Sequence, residues 1–142
     1  MKPFQAVVDT NVILSALRSK KGASYRLMSL VGDMRWHMHV SVALLLQYEA
    51  VARREAVPLH ATPEEVDKFI DFLCTASEHQ AIYFAWRPQL ADPNDEFILE
   101  LAVAAGASHI VTFNLSDFRG AERFGINVVE PRDFLRIIGA IA

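Results

Sequence analysis

The chain has 142 residues, 52% of them apolar, and a formal net charge of −3. That is enough for one ordinary domain, residues 1–142, with a full core and no disulfide or metal staple; the lone Cys74 excludes an internal disulfide and suits a reducing compartment. No apolar run is long enough to cross a bilayer and no charged-then-apolar leader is present, so a soluble, cytoplasmic protein with no membrane contact is expected.

In chain order, residues 5–9 are a short β-rich apolar run, read as a buried strand. A helical pattern runs from Asn11 to about Arg18 and breaks at Lys20-Lys21-Gly22. A second helix covers Ala23 to Val31 and stops at Gly32. Residues 36–42, WHMHVSV, alternate like a strand, and residues 42–55 are helical, with Leu44, Leu45, Tyr48, Val51 and Ala52 on one face. Thr62-Pro63-Glu64-Glu65 starts another helix, with a threonine cap and proline at the first position. The apolar run 81–86, AIYFAW, is open to a strand reading. Asp92-Pro93-Asn94-Asp95 begins a helix that reaches about Ala105 and stops at Gly106. Strands are expected at 109–113 and 126–130, and Pro131 opens a last helix to about Ile138. Alternating strands and helices predict an α/β domain with a mostly parallel sheet, whose ligands bind beyond the carboxyl ends of the strands.

Those strand ends are where the acids fall. Asp9 closes the first strand, between two apolar runs; its plainer role is to cap the helix that follows. Thr112 and Asn114 close the strand at 109–113, with Asp117 three residues beyond Asn114. Asp95 stands at the third position of its helix, where a carboxylate serves a capping box, yet it shares a face with Ile98 and Ala102. Glu49 and Gln47 flank opposite edges of the apolar stripe on the 42–55 helix, and a solvated surface acid is the alternative for Glu49.

Asp9, Glu49, Asp95 and Asp117 thus collect at one end of the sheet. Clustered carboxylates repel unless protonated or neutralised by metal. Oxygen ligands suit Mg²⁺ or Mn²⁺, and the five histidines form no zinc motif. Carboxylate-held metal serves phosphoryl chemistry. The mildly acidic charge speaks against holding nucleic acid by charge alone. It leaves local basic patches, Arg18, Lys20, Lys21 and Arg26 and the pair Arg53-Arg54, each read first as solvated surface.

The ordered segments DTNVILSAL, SVALLLQYEAV, DPNDEFILELAVAAGASHIVTFNLSDF and INVVEPRDFL resemble a PIN domain of the VapC-like group, the toxin components of bacterial type II toxin–antitoxin systems. The resemblance spans nearly the whole chain. It implies a three-layer α/β/α fold around a central, mostly parallel sheet, and a Mg²⁺- or Mn²⁺-dependent ribonuclease acting on single-stranded or looped RNA. It further implies a small antitoxin protein as partner, and a homodimer. Carried over by position, Asp9 and Asp95 match metal-binding acids, and Thr112 the hydroxyl that braces the site. Asn114 stands where many relatives have aspartate, Asp117 supplies a nearby acid, and Thr10 and Asn11 support Asp9. One departure is Gln47, where many relatives carry glutamate. Either Glu49 takes over as ligand or the site is one carboxylate short. Glu49 is taken here as the functional acid, since a divalent metal gains more from a carboxylate than from an amide.

Other classes fit less well. A dehalogenase-type phosphatase needs a second acid two residues after Asp9, where Asn11 stands, and a P-loop needs a glycine-rich turn that is missing. A degenerate PIN domain that binds without cleaving, and an RNA-maturation nuclease outside any toxin system, remain as alternatives.

Overall fold

The computed structural model describes residues 2–56, 58–82 and 93–142; at 93 and 94 it describes the backbone alone. Its frame is a parallel five-stranded sheet of β1 (Phe4–Val8), β2 (Trp36–Val40), β3 (Glu78–His79), β4 (His109–Val111) and β5 (Asn127–Val129), in the order β3-β2-β1-β4-β5. Six helices accompany it: α1 (Thr10–Arg18), α2 (Ala23–Ser29), α3 (Val42–Glu55), α4 (Pro63–Ala76), α5 (Pro93–Ala104) and α6 (Pro131–Ile137). This is the expected α/β/α architecture.

The chain builds outward from β1 to β2 and β3, then returns to add β4 on the other side of β1. Right-handed crossovers therefore put α1 to α4 on one face of the sheet and α5 on the other. The direction of winding reverses between β1 and β4. A cleft opens at such a reversal, beyond the carboxyl ends of the two strands.

Local chemistry sets the helix ends. The Ser41 hydroxyl accepts from the Leu44 amide at 3.2 Å and starts α3. Thr62 and Glu65 close a reciprocal capping box on α4, with Pro63 at the first position. Gly32 and Gly106 leave their helices at φ 96° and 64°, a region only glycine enters without strain. Continuous burial of Ala6, Val7 and Val8 reflects a strand covered on both faces. Trp36 stacks edge-on to Phe134 at 5.3 Å, fastening α6 to the sheet.

Several boundaries moved. The edge strand is Glu78–His79, while Ala81 and Ile82 carry no strand; the rest of the 81–86 run lies outside the described residues, as does Asp92. The first and fourth strands stop at Val8 and Val111, so Asp9 and Thr112 each stand just beyond a strand end.

Candidate functional site

Asp9 and Thr112 meet at the reversal between β1 and β4. The Asp9 amide donates to the Val111 carbonyl at 2.9 Å, and the Thr112 amide to Val129 at 2.9 Å, so both residues are held by the sheet ladder itself. The fully buried Thr112 hydroxyl donates to Asp9 Oδ2 at 2.7 Å. Its oxygen accepts from Asn11 Nδ2 at 3.3 Å and from the Asn114 amide at 3.0 Å. One proton given and two lone pairs used exhaust a hydroxyl, so its orientation is fixed. Asn11 Oδ1 in turn accepts from the Phe113 amide at 3.4 Å. Asp9 occupies the cap position of α1 without a geometric capping hydrogen bond, although the amides of Thr10 and Asn11 lie close enough to act on its carboxylate, and its one side-chain hydrogen bond comes from Thr112.

Burial pushes the Asp9 carboxyl above its ordinary value. The Thr112 hydrogen bond and the amides of Thr10 and Asn11 pull it back, and the charge of Asp117 adds to the rise. Asp9 is 8% exposed, and no lysine, arginine or histidine pairs with it among the described residues.

Helix α3 closes one side. Tyr48 is fully buried and its hydroxyl donates to the Val8 carbonyl, one residue before Asp9. Burial, and then the Asp9 charge, hold this phenol well above its ordinary range, so it stays protonated and keeps α3 against β1. Sequence reasoning placed Tyr48 in the core and missed this role. On one flank of Tyr48, Gln47 has a buried Oε1 with no hydrogen-bond partner; Thr10 Oγ1 is in the same condition.

Glu49, on the other flank, has surface partners. Its carboxylate sits 3.3 Å from Arg53, and Arg53 also binds Asp67 on α4. Glu49 thus belongs to a surface ion-pair group between α3 and α4, about 200° around the helix from Gln47. The expected gathering of four acids is not found: among the described residues no three His, Cys, Asp or Glu side chains are placed to hold a metal together.

Asp117 lies exposed on a single 3₁₀ turn, Leu115–Phe118, whose first amide contact runs from the Asp117 amide to the Asn114 carbonyl at 3.1 Å. That turn brings its charge to bear on Asp9. The Asn114 side chain is exposed, and it is the backbone amide that braces Thr112. Asp95 is half-buried in the first turn of α5, the helix that packs on β1 and β4. Beside it Glu96 is 9% exposed, an acid the sequence reading passed over. Its spacing to buried Leu99 was the available signal.

The donors present suit a hard divalent cation better than zinc or an organic cofactor. Among the described residues they are a desolvated carboxylate with no cation paired to it, a second acid within electrostatic reach, and buried amide and hydroxyl oxygens lacking partners. Mg²⁺ keeps several of its waters, so a site with few protein carboxylates still accommodates it.

No curated protein matches the chain. The crystal structure of VapBC2 from Rickettsia felis, bound to a DNA fragment from its promoter, is similar at a TM-score of 0.57, covering 89% of this chain and 98% of that one. The two are 14% identical, so the likeness speaks for the fold. The family model described as PIN domain matches residues 5–116, which hold β1, the strand-end pair Asp9 and Thr112, and α5. With that match over most of its length, and a sheet that delivers Asp9 and Thr112 to the winding reversal, the chain belongs to the PIN domain family.

Proposed function

We propose that this PIN domain is a VapC-like ribonuclease that requires Mg²⁺ or Mn²⁺, acts in the cytoplasm as a homodimer, and is restrained by a small antitoxin protein. The observation that carries the reading is Asp9: a carboxylate desolvated at a strand end, locked by Thr112, with no cation among the described residues paired to it. Such a group is costly to keep ionised unless a cation joins it.

Asp9 would hold the ion directly, Asp95 and Asp117 would act through its waters, since no three acids among the described residues are placed to ligate together, and Gln47 Oε1 would offer a neutral oxygen. When bound, a divalent cation there offsets charge on phosphate oxygens and makes water more acidic. The Thr112 hydrogen bond to Oδ2 fixes the orientation of the Asp9 carboxylate that would meet the ion. Asn11 and Asn114 hold the hydroxyl in that pose. Tyr48 stays protonated and excludes water from behind Asp9. A rim carboxylate, Asp95 or Asp117, would accept a proton from the water that attacks phosphorus as the P–O bond to the leaving sugar oxygen breaks, and that oxygen would take a proton from solvent. Support for the antitoxin comes from the fold shared with VapBC2.

The test is incubation of purified, antitoxin-free protein with structured RNAs in Mn²⁺, Mg²⁺ or EDTA. Cleavage that EDTA abolishes supports the reading. The neutral Gln47 and the lack of a three-acid group among the described residues favour a second reading, a binding domain that does not cleave. Folded protein inert towards every RNA in Mn²⁺ would decide for that one.

A further inference from the structure

The strand-end site has an apolar lip. Phe113 follows Thr112 directly and is 42% exposed, and Leu115, two residues on, is 44% exposed. Both lie on the short segment that leads from Thr112 to Asp117, where every residue from 113 to 117 is exposed. The segment is nonetheless tied down. The Phe113 amide donates to Asn11 Oδ1 at 3.4 Å, the Asn114 amide to the Thr112 hydroxyl at 3.0 Å and the Asp117 amide to the Asn114 carbonyl at 3.1 Å. Phe118, 1% exposed, plugs the far end into the core. The chain therefore holds an aromatic ring in water on a backbone fixed by Asn11 and Thr112, the residues that also fix Asp9.

A single exposed phenylalanine is ordinary on a protein surface. Position distinguishes this one, for it is rooted one residue from the hydroxyl that touches Asp9, about 3.8 Å between Cα atoms. Residues 113–117 read Phe-Asn-Leu-Ser-Asp and contain no cation, so the lip has nothing to hold a phosphate by charge. Its attraction is for an apolar face. A phosphodiester placed at Asp9 carries a nucleoside on each side, and an unpaired base beside it presents such a face. Stacking of bases on aromatic rings needs no particular sequence, because every base has a π-face.

We propose that Phe113 is a specificity-determining residue of the strand-end site: its ring stacks on the unpaired base next to the scissile phosphate and so sets where along a strand the cut falls. The proposal rests on the ribonuclease reading and adds to it the residue that touches the base. Leu115 extends the apolar contact without a π-face. A base stacked on Phe113 has left its own helix, so the ring favours phosphodiesters in loops over those within a duplex.

The experiment is a double-mutant cycle between ring and base, read as binding. A short labelled RNA is titrated with the full chain in Ca²⁺ and followed by fluorescence anisotropy, with one abasic nucleotide moved along the strand. Phe113→Ala should weaken binding of the intact RNA about tenfold, and one abasic position should weaken the parent chain as much. Together the two changes should cost no more than either alone. Phe113→Trp should bind as the parent does, and Phe113→Leu should not. The ring is exposed, so Tm should be unchanged in all three variants. In Mn²⁺, Phe113→Ala should redistribute the cut sites and lower kcat/KM about tenfold. Four results overturn the proposal: no RNA binding by the parent chain, losses that add at every abasic position, parent-like binding by Phe113→Leu, or a dimeric parent that sediments as a monomer in Phe113→Ala, which would give the ring to a second copy of this chain. Coupling of ring and base in a chain that cleaves nothing would end the ribonuclease reading and leave Phe113 as a base contact. Cleavage without that coupling would do the reverse.

Discussion

The Thr112 hydroxyl reaches Asp9 Oδ2 at 2.7 Å across the junction of β4 and β1, two residues 103 positions apart in the chain. Neither strand alone builds this contact; their register does, with Val8 paired to Val111. Thr112→Val keeps the volume and removes the hydroxyl. It leaves Asp9 Oδ2, the Asn114 amide and Asn11 Nδ2 without their partner. The expected cost is about 1–3 kcal/mol of stability and about 10- to 100-fold in activity. Thr112→Ser should restore most of both. Denaturant unfolding and cleavage assays on the pair check it, and a fully active valine variant would remove Thr112 from the site.

Asp9→Asn is expected to separate stability from activity. Burial disfavours the charged carboxylate, so its folded-state pKa lies above the unfolded one. The resulting penalty is present at neutral pH and relieved as pH falls through the folded pKa. Asparagine relieves it at every pH, so the metal-free Tm should hold or rise while cleavage is lost. Mn²⁺ should stabilise the parent chain by about 2.7 kcal/mol at a hundredfold excess over its Kd. The same titration should move Asp9→Asn far less. Equal shifts in both proteins would place the ion elsewhere.

Much of this was legible from local chemistry. A cap announced α4, because Thr62 and Glu65 act within one turn, and the apolar stripe announced α3, whose Ser41 cap reads as strand. Asp9 and Thr112 were legible as strand ends, since both close apolar runs. The edge strand was not: Glu78 and His79 are exposed and polar, and edge strands are kept short and polar to discourage further pairing. The flank of α3 that faces the site was not legible either. Gln47 and Glu49 are symmetric about the apolar stripe, and only Asp67, reaching Arg53 from another helix, breaks the tie. Tyr48 looked like ordinary core because its hydroxyl bond to Val8 crosses between elements.

Acid should destabilise the protein through its histidines. His39 is 5% exposed and lies between Gln5 Oε1 and Gln80 Nε2, the latter 3.1 Å from its Nδ1. The neutral ring fits, donating to Gln5 and accepting from Gln80; a second ring proton would face the Gln80 amide hydrogens. Burial holds its pKa below the ordinary 6.5, the Glu78 charge working against that and His37 with it. Burial lowers His109 in the same way. The unfolded chain therefore binds these protons more readily, so the stability they confer is full above pH 6.5 and lost as pH falls below it. Unfolding free energy measured from about pH 7 to 5 should decline, and His39→Gln should flatten the decline. A profile unchanged in that variant would exclude His39 as a source.

The sharpest contrast lies on α3, where one turn carries both candidate ligands. Glu49 is bound to Arg53 and 39% exposed at its side chain, so Glu49→Gln should leave cleavage intact and Tm nearly unchanged. Gln47 is different. Its buried Oε1 lacks a donor, which costs the folded protein unless a cation or water satisfies it. Gln47→Glu puts a charge there. Without metal that buried charge has no partner, and the metal-free Tm should fall. With Mn²⁺ the added carboxylate should tighten the ion, so the gain in Tm per step of Mn²⁺ should exceed that of the parent chain. Cleavage should rise with it. The two measurements have opposite signs, which separates a ligand position from a merely tolerant surface one. A metal-free Tm unchanged in Gln47→Glu, together with loss of cleavage in Glu49→Gln, would return the role to Glu49 and require α3 to turn its other flank to the site.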